Sequence, residues 1–243
     1  MTSQDASPSG HDPLAQNLIL HSLPRQERER MAGEFSTLRY RRGHILHHAG
    51  DLASVVYFPT RGMVSAVIEL EDGDLIETGI IGAEGMAGLA GCLGLQRSAL
   101  TLMAATDGEA LRIRSDSLRR HMLRMPVLHD ILLRYVGFTL STTDRAIACT
   151  RFHSVEQRCA RRLLAVRDRT GSDSLQLTQD FVASMLGVRR ASVTAAIRQF
   201  HLRGLVESRR GRLRIVDATE LQAAACSCYQ AVNDAFQDIL VRP

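Results

Sequence analysis

The sequence contains no tryptophan, and aromatic residues make up only 5% of its 243 residues. Hydrophobic residues still account for 45%, so aliphatic side chains must form most of the core of a globular protein. No apolar run approaches the roughly 18 residues of a membrane-spanning helix. Residues 1–13 are rich in Ser, Asp, Gly and Pro and carry no signal sequence, which predicts a flexible tail. We therefore expect a cytoplasmic protein that has no membrane partner.

A disulfide framework and a metal site are also not predicted. The cysteines are odd in number and scattered: Cys92, Cys149, Cys159, Cys226 and Cys228. We interpret Cys226 and Cys228 as buried helix residues rather than a redox pair. His44, His47 and His48 do not share one face of a strand and have no suitably spaced carboxylate, so we expect no metal site. A metal-dependent barrel enzyme is accordingly the less favoured alternative.

The most informative stretch is Leu177–Phe200, which predicts two short helices joined by a tight turn. Thr178 is a suitable cap for the first helix, and Gly187 can adopt the positive φ that a sharp helix exit requires. Val193 and Ile197 give the second helix an apolar face, and its other face carries arginine and hydroxyl side chains. This pattern indicates a helix-turn-helix that enters the major groove of DNA. A helical hairpin with a solvated basic face is the alternative.

The residues that follow predict a basic β-hairpin. The stretch Leu205–Val216 has a turn at Arg210-Gly211, and Leu213 and Ile215 alternate with arginines. Apolar groups then face inward and charge faces outward. A basic hairpin directly after a helix-turn-helix is typical of a wing that contacts phosphates. The combination favours a DNA-binding domain over a solvated helical hairpin.

We assign DNA contacts to polar side chains of these elements. Arg190 is the leading base reader, because a bidentate guanidinium on guanine is the commonest specific contact. Ser192, Thr194 and Arg198 lie beside it on the predicted recognition helix 190–203. The predicted phosphate contacts are Thr178, Gln179, Arg189, Arg209, Arg210 and Arg212.

The first half of the chain predicts short strands divided by turn residues. The candidates are Phe35–Tyr40, Ile45–His48, Val55–Phe58, Met63–Leu70, Leu75–Ile81, Leu100–Ala105 and Ala110–Ile113. Many short strands at close spacing predict a double-stranded β-helix, or jelly-roll barrel, within a domain over residues 14–126. No β-α-β alternation or phosphate-cradling Gly-rich loop with Lys is present, which argues against a nucleotide hydrolase. The fold class is therefore α+β.

A long helix is predicted over residues 127–152. Its apolar seam runs in steps of four and three through Leu128, Leu132, Tyr135, Thr139, Thr142, Ala146 and Cys149. Such a seam is typical of a coiled coil, although a single helix lying across the barrel is the alternative. We favour a dimerisation helix, because a protein that binds two-fold-symmetric DNA as a dimer requires a two-fold-symmetric interface.

The order of these parts resembles the CRP/FNR superfamily of bacterial transcription regulators. The resemblance covers roughly residues 14–217 and is most specific in His153–Arg158, Leu177–Phe181 and Gly187–Thr194. It implies a homodimer without catalytic activity that binds a two-fold-symmetric operator in double-stranded DNA and acts with RNA polymerase. A winged helix-turn-helix domain over residues 153–217 and a C-terminal helix over residues 218–243 complete the predicted domains.

The resemblance also implies that the barrel is a sensor, often for a cyclic nucleotide. Arg97 and Ser98 match the phosphate-binding half of the family's site, and Glu84 and Gly85 precede them. The ribose-binding carboxylate falls at Ala87, however, and an unmatched ribose hydroxyl costs about 1–3 kcal/mol. Cyclic-nucleotide binding is therefore disfavoured, the effector is unassigned, and a strictly cyclic-nucleotide-dependent regulator is the alternative. The effector-binding candidates are Glu84, Gly85, Arg97 and Ser98.

The recognition helix departs from the family in a second way. Well-known members read their half-site with a Glu and an Arg four residues apart. Ala191 and Ala195 occupy those positions here, so the resemblance does not imply a known operator sequence.

Overall fold

The computed structural model describes residues 12–71, 75–209 and 212–241. Most of the predicted tail (residues 1–11), the turn at residues 72–74 and the Arg210-Gly211 turn of the wing lie outside the described residues. None of the described helices is long and apolar enough to cross a membrane.

The N-terminal part consists of two antiparallel sheets that enclose an apolar core. Its strands are β1 (Ser36–Tyr40), β2 (Ile45–His47), β3 (Val55–Arg61), β4 (Val64–Glu69), β5 (Leu75–Ile81), β6 (Thr101–Ala104) and β7 (Gly108–Arg114). One sheet has the order β1-β7-β3 and the other β2-β6-β4-β5. Tyr57 and Ala110 from the first sheet pack against Val64 and Leu102 from the second. The predicted jelly-roll barrel is confirmed.

The outer face of the first sheet is covered by helices. These are α1 (Leu18–His21), α2 (Arg25–Met31), α3 (Leu89–Cys92), α4 (Ser115–Met122) and α5 (Pro126–Phe152). Successive side chains of a strand point to opposite faces, so Val56 and Phe58 face the helices while Tyr57 faces the barrel interior. Val56 and Phe58 share a core with Leu128 and Leu132 of α5, which fixes the long helix on the barrel.

The predicted seam of α5 is buried within its own chain at both ends and half-buried at Thr139, Thr142 and Ala146, which contradicts its assignment as the dimer surface. Leu128, Leu132 and Tyr135 pack on the barrel, and Cys149 packs against the C-terminal residues. The apolar pattern of a helix does not reveal whether its own barrel or a second protomer covers it. A second apolar stripe of α5 is exposed instead. Its residues Leu133, Leu140 and Ile147 are 48%, 63% and 68% exposed to solvent.

A second domain follows α5. It contains α6 (Val155–Thr170), β8 (Ser174–Leu175), α7 (Gln179–Leu186), α8 (Arg190–Leu202), β9 (Val206–Arg209) and β10 (Arg212–Ile215). Ser154 and Gln157 form a capping box that starts α6. Leu163 of α6, Phe200 of α8 and Leu213 of β10 belong to one core, on which the helix pair and the sheet β8-β10-β9 rest.

The C-terminal region was predicted as one helix, but it forms two: α9 (Ala218–Ala224) and α10 (Cys228–Val241). Ala225 takes an extended conformation (ψ 159°), which ends α9 and redirects the chain. α10 then runs back along α5, where the rings of Phe138 and Phe236 lie 5.7 Å apart. The single-helix prediction was wrong because no proline or glycine marks the break.

Candidate nucleic-acid interface

The helix pair α7–α8 forms as the local signals predict. The Thr178 hydroxyl accepts a hydrogen bond from the Phe181 amide at 3.2 Å and caps α7. Gly187 closes α7 with φ 62°, a left-handed conformation that glycine adopts without steric cost. Val193, Ile197 and Phe200 are buried, so the opposite face of α8 is left to solvent.

The exposed face of α8 carries most of the predicted base readers. Arg190, Thr194 and Arg198 are exposed, whereas Ser192 is half-buried. Ala191 and Ala195 are exposed on the same helix and offer only methyl groups to a partner. The structure thus brings hydrogen-bonding and methyl groups together on one accessible helix surface. This surface has the chemistry and dimensions suited to a major groove.

Two contacts between α7 and α8 engage predicted DNA-binding side chains. Arg190 Nη1 lies 3.1 Å from Asp180 Oδ2, and the Thr194 hydroxyl donates to Gln179 Oε1 at 2.6 Å. Both partners of the Arg190–Asp180 ion pair are more than 60% exposed, and such pairs contribute only about 0–1 kcal/mol. A guanine or phosphate can therefore displace Asp180 at little cost.

The wing adds further basic groups beside α8. Leu213 and Ile215 are buried and Arg212 and Arg214 exposed, which confirms the predicted alternation. Arg214 is paired with Glu207 at 3.0 Å, whereas Arg209 lies opposite Arg212 in the register of the hairpin. The side chain of Arg209 lies outside the described residues, as does the whole of Arg210. Arg189 is exposed at the N-terminus of α8, a position that suits a phosphate.

The four predicted effector-binding residues do not converge. Glu84 Oε1 lies 2.7 Å from Arg169 Nε of α6, so the carboxylate is engaged by the second domain. A side chain at Gly85 would collide with the Tyr135 hydroxyl. Arg97, in contrast, is exposed and donates to the Gly50 carbonyl at 2.6 Å.

Ser98 belongs to the barrel rather than to a cluster with Glu84. Its hydroxyl lies 3.0 Å from His47 Nε2 and donates to the Leu100 carbonyl at 2.8 Å. Burial lowers the pKa of His47, because the charged imidazolium is poorly solvated there. The predicted set is therefore split between two places in the fold.

The position expected for a ribose-binding carboxylate lies in the core of the barrel. Ala87 is 2% exposed and exchanges two backbone hydrogen bonds with Tyr57, at 2.8 and 2.9 Å. The Tyr57 hydroxyl donates to the Leu46 carbonyl at 3.1 Å, and burial raises the pKa of this phenol. Val64 and Leu102 of the second sheet share one buried cluster with Tyr57 and Ala87.

Two groups of residues were missed from the sequence. Arg162 of α6 forms a buried ion pair with Glu77 of β5, which joins the DNA-binding domain to the barrel. Cys149 and His153 meet Cys226 and Cys228, although the cysteines are scattered along the sequence. The one available signal was the spacing of Cys149 and His153, four residues apart and therefore on one helix face.

Comparison with known proteins agrees with the division of the chain. Residues 37–124 match the family model of a cyclic nucleotide-binding domain, and residues 157–224 match that of a Crp-like helix-turn-helix domain. A CRP-like cAMP-activated global transcriptional regulator from Mycobacterium tuberculosis is 25% identical over 191 residues. This alignment covers 76% of the present chain and 85% of the relative.

Solved structures show the same fold. FixK2 from Bradyrhizobium japonicum superposes with a TM-score of 0.70 at 17% identity, covering 79% of this chain and 98% of that one. The c-di-GMP-responsive global regulator CLP from Xanthomonas campestris superposes with a TM-score of 0.64 at 20% identity. This match covers 80% of the present chain and 100% of that one. The two domain families matched in this order, together with the CRP-like relative, support a transcription regulator of the CRP/FNR family.

Proposed function

We propose that the chain binds a two-fold-symmetric DNA site as a homodimer, with α8 of each protomer in successive major grooves. The observation that carries this proposal is the orientation of α8. Its apolar face is held in the domain core, while Arg190, Thr194 and Arg198 are exposed on the opposite side. In this binding mode the two half-sites lie about 34–36 Å apart.

The side chains divide into those that contact bases and those that contact the phosphate backbone. Arg190 releases Asp180 to contact guanine, and Arg198 and Thr194 contact neighbouring base edges or phosphates. Arg189 and Arg212 hold the phosphate backbone on either side of the groove, together with Thr178 and Gln179 at the start of α7. The sequence assigns the same contacts with the phosphate backbone to Arg209 and Arg210 of the wing.

The homodimer forms through the exposed stripe of α5 rather than through the buried seam. Leu133, Leu140 and Ile147 are spaced by seven residues and lie on one helix face. Exposed apolar side chains at heptad spacing are stabilised by packing against a second copy of the same helix. This replaces the surface first predicted, and it leaves the contacts of α5 with its own barrel intact.

The effector of this regulator is not a cyclic nucleotide bound in the usual manner. The Mycobacterium tuberculosis relative is described as cAMP-activated, but here the buried Ala87 stands where the family's ribose-binding carboxylate is expected. Calorimetry with cyclic AMP and cyclic GMP tests this point, and we expect no saturable binding at micromolar concentration. Saturable binding would favour the alternative, a strictly cyclic-nucleotide-dependent regulator.

Selection of bound duplexes from a random library, followed by footprinting, tests the DNA-binding proposal. We expect two inverted half-sites protected one helical turn apart, and affinity that falls steeply with salt. Equal affinity for selected and random duplexes would contradict it. As a family regulator bound beside a promoter, the protein would act through RNA polymerase, and transcription from a template carrying the selected site tests that partner.

A further inference from the structure

Four metal-binding side chains meet where the end of α5 contacts the break between α9 and α10. They are Cys149, His153, Cys226 and Cys228, and their ligand atoms all lie within 4.8 Å of one another. Cys149 Sγ is 3.6 Å from Cys226 Sγ, and Cys228 Sγ is 3.7 Å from His153 Nδ1. Among the described residues this is the one such group of three or more His, Cys, Asp or Glu ligands.

The fold brings these groups together from two distant segments. Cys149 and His153 lie one turn apart at the end of α5, where the His153 amide donates to the Cys149 carbonyl at 3.1 Å. The extended Ala225 returns the chain toward α5, so that Cys226 and Cys228 both face it. A continuous helix through this region would separate the two sulfurs, so the break in the helix is what completes the cluster.

The spacing matches a tetrahedral zinc site. Zinc binds thiolate sulfur at about 2.3 Å and imidazole nitrogen at about 2.0–2.1 Å, which places neighbouring ligands of a tetrahedron about 3.5–3.8 Å apart. The two measured contacts, at 3.6 and 3.7 Å, fall in this range. The remaining separations, up to 4.8 Å, require only a small inward movement of the side chains.

We propose that these four residues bind one Zn²⁺ per chain, in a closed Cys3His site. Three thiolates and one imidazole in a buried tetrahedron favour zinc over magnesium or calcium, which prefer oxygen ligands. All four protein ligands are present, so the site is structural or sensory rather than catalytic. A disulfide between Cys149 and Cys226 would use two of these groups and leave Cys228 and His153 without a role.

Charge around the cluster favours a thiolate-bound metal. A Zn²⁺ ion with three thiolates carries one net negative charge, and Arg158 and Arg161 of α6 are close enough to interact electrostatically with Cys149 and Cys226. The cavity of about 250 Å³ lined by Arg158, Arg161 and Cys228 lies directly beside the cluster. Cys228 is the member of the cluster that lines this cavity.

One of these arginines connects the metal site to the helix-turn-helix. Arg158 is 8% exposed, and its Nη2 donates to the carbonyl of Leu186 at 2.5 Å. Leu186 is the last residue of α7, next to the Gly187 turn. Metal occupancy therefore fixes Arg158 and, through it, the position of α7 and α8. This second step, unlike metal binding itself, rests on the proposed DNA-binding function.

The test uses the full chain purified under reducing conditions. We expect elemental analysis after dialysis to find one zinc per chain, and cobalt substitution to give the visible absorption bands of a tetrahedral thiolate site. Cys226→Ser should weaken cobalt affinity by about 100-fold or more, as loss of a ligand exceeds the effect of losing an outer contact. His153→Gln, at a half-buried position, gives a second readout if Cys226→Ser does not fold.

Cys159→Ala is the matched control, because Cys159 is a buried cysteine of α6 outside the cluster. It should keep the zinc content and the cobalt spectrum. Absence of bound zinc together with an octahedral cobalt spectrum would overturn the proposal. So would a Cys149–Cys226 disulfide in freshly isolated protein, or iron in place of zinc. Chelation should also lower the affinity for the selected duplex, a readout separate from metal content. Unchanged affinity after chelation would overturn only the coupling through Arg158.

Discussion

The guanidinium group of Arg162, on the helix beneath the helix-turn-helix, is ion-paired with the carboxylate of Glu77 on barrel strand β5. The two side chains are only 10% and 3% exposed, and the Ser65 hydroxyl donates to Glu77 at 2.6 Å. Together with the contact between Arg169 and Glu84, this pair fixes the DNA-binding domain against the barrel. A change in the barrel can therefore reach α6 directly.

Glu77→Gln should destabilise the protein by about 3–5 kcal/mol, because it leaves a buried guanidinium without a countercharge. Chemical denaturation measures this loss. The double variant Glu77→Leu with Arg162→Met should recover most of it, because neither buried charge remains. The exposed pair Arg39–Glu109 provides the control, and Glu109→Gln should change stability by less than about 1 kcal/mol. Similar losses of stability at the two sites would show that burial does not increase the cost of breaking the Glu77–Arg162 pair.

Arg190→Ala should lose about 1–3 kcal/mol of binding to the selected duplex and relax specificity at one base position. Arg212→Ala, in the wing, should instead weaken binding to all DNA sequences alike. It should also lower the slope of log affinity against log salt concentration by about one. Fluorescence anisotropy across a salt series and a panel of single-base variants separates the two effects. If Arg190→Ala weakens selected and random DNA equally, Arg190 contacts phosphate and another side chain reads the base.

Leu140→Glu should yield a monomer, since it places a charge at the centre of the exposed α5 stripe. Sedimentation equilibrium measures the mass, and affinity for the two-fold site should fall because each half-site then binds one protomer alone. Leu123→Glu is the control, because Leu123 is 87% exposed but lies outside α5. A Leu140→Glu protein that remains dimeric would place the interface elsewhere.

Ala87→Glu should not create a nucleotide site, although it supplies the carboxylate expected in the family. The new charge would be buried against Tyr57, and we expect destabilisation of about 3 kcal/mol or more. Thermal denaturation with and without cyclic AMP is the measurement. Ala99→Glu, at an exposed position, should be nearly neutral. A stable Ala87→Glu protein stabilised by cyclic AMP would mean that the barrel interior can still open for a nucleotide.

Local signals in the sequence predicted the parts of the fold that depend on local structure. Thr178 and Gly187 mark the ends of α7 through backbone chemistry within a few residues, and the structure has both where predicted. The alternation at Leu213 and Ile215 likewise gives the buried face of the wing. These features need no knowledge of the rest of the chain.

Features that depend on distant partners were not predictable in the same way. The apolar seam through Leu132 and Tyr135 has the same pattern whether a barrel or a second protomer covers it. Likewise, Glu77 and Arg162 look like ordinary charges until the two domains are placed together. Cys226 reaches Cys149 only because α9 ends at Ala224, without a glycine or proline that would have predicted the break.

The two exposed alanines of α8 have a consequence for the base composition of the operator. Ala191 and Ala195 cannot donate or accept hydrogen bonds, but their methyl groups can pack on the C5-methyl group of thymine. We therefore expect thymine at the half-site positions that face these two residues. Cytosine at those positions should bind less well, and 5-methylcytosine should restore the lost contact. Methylation of the DNA would then change how strongly this regulator binds.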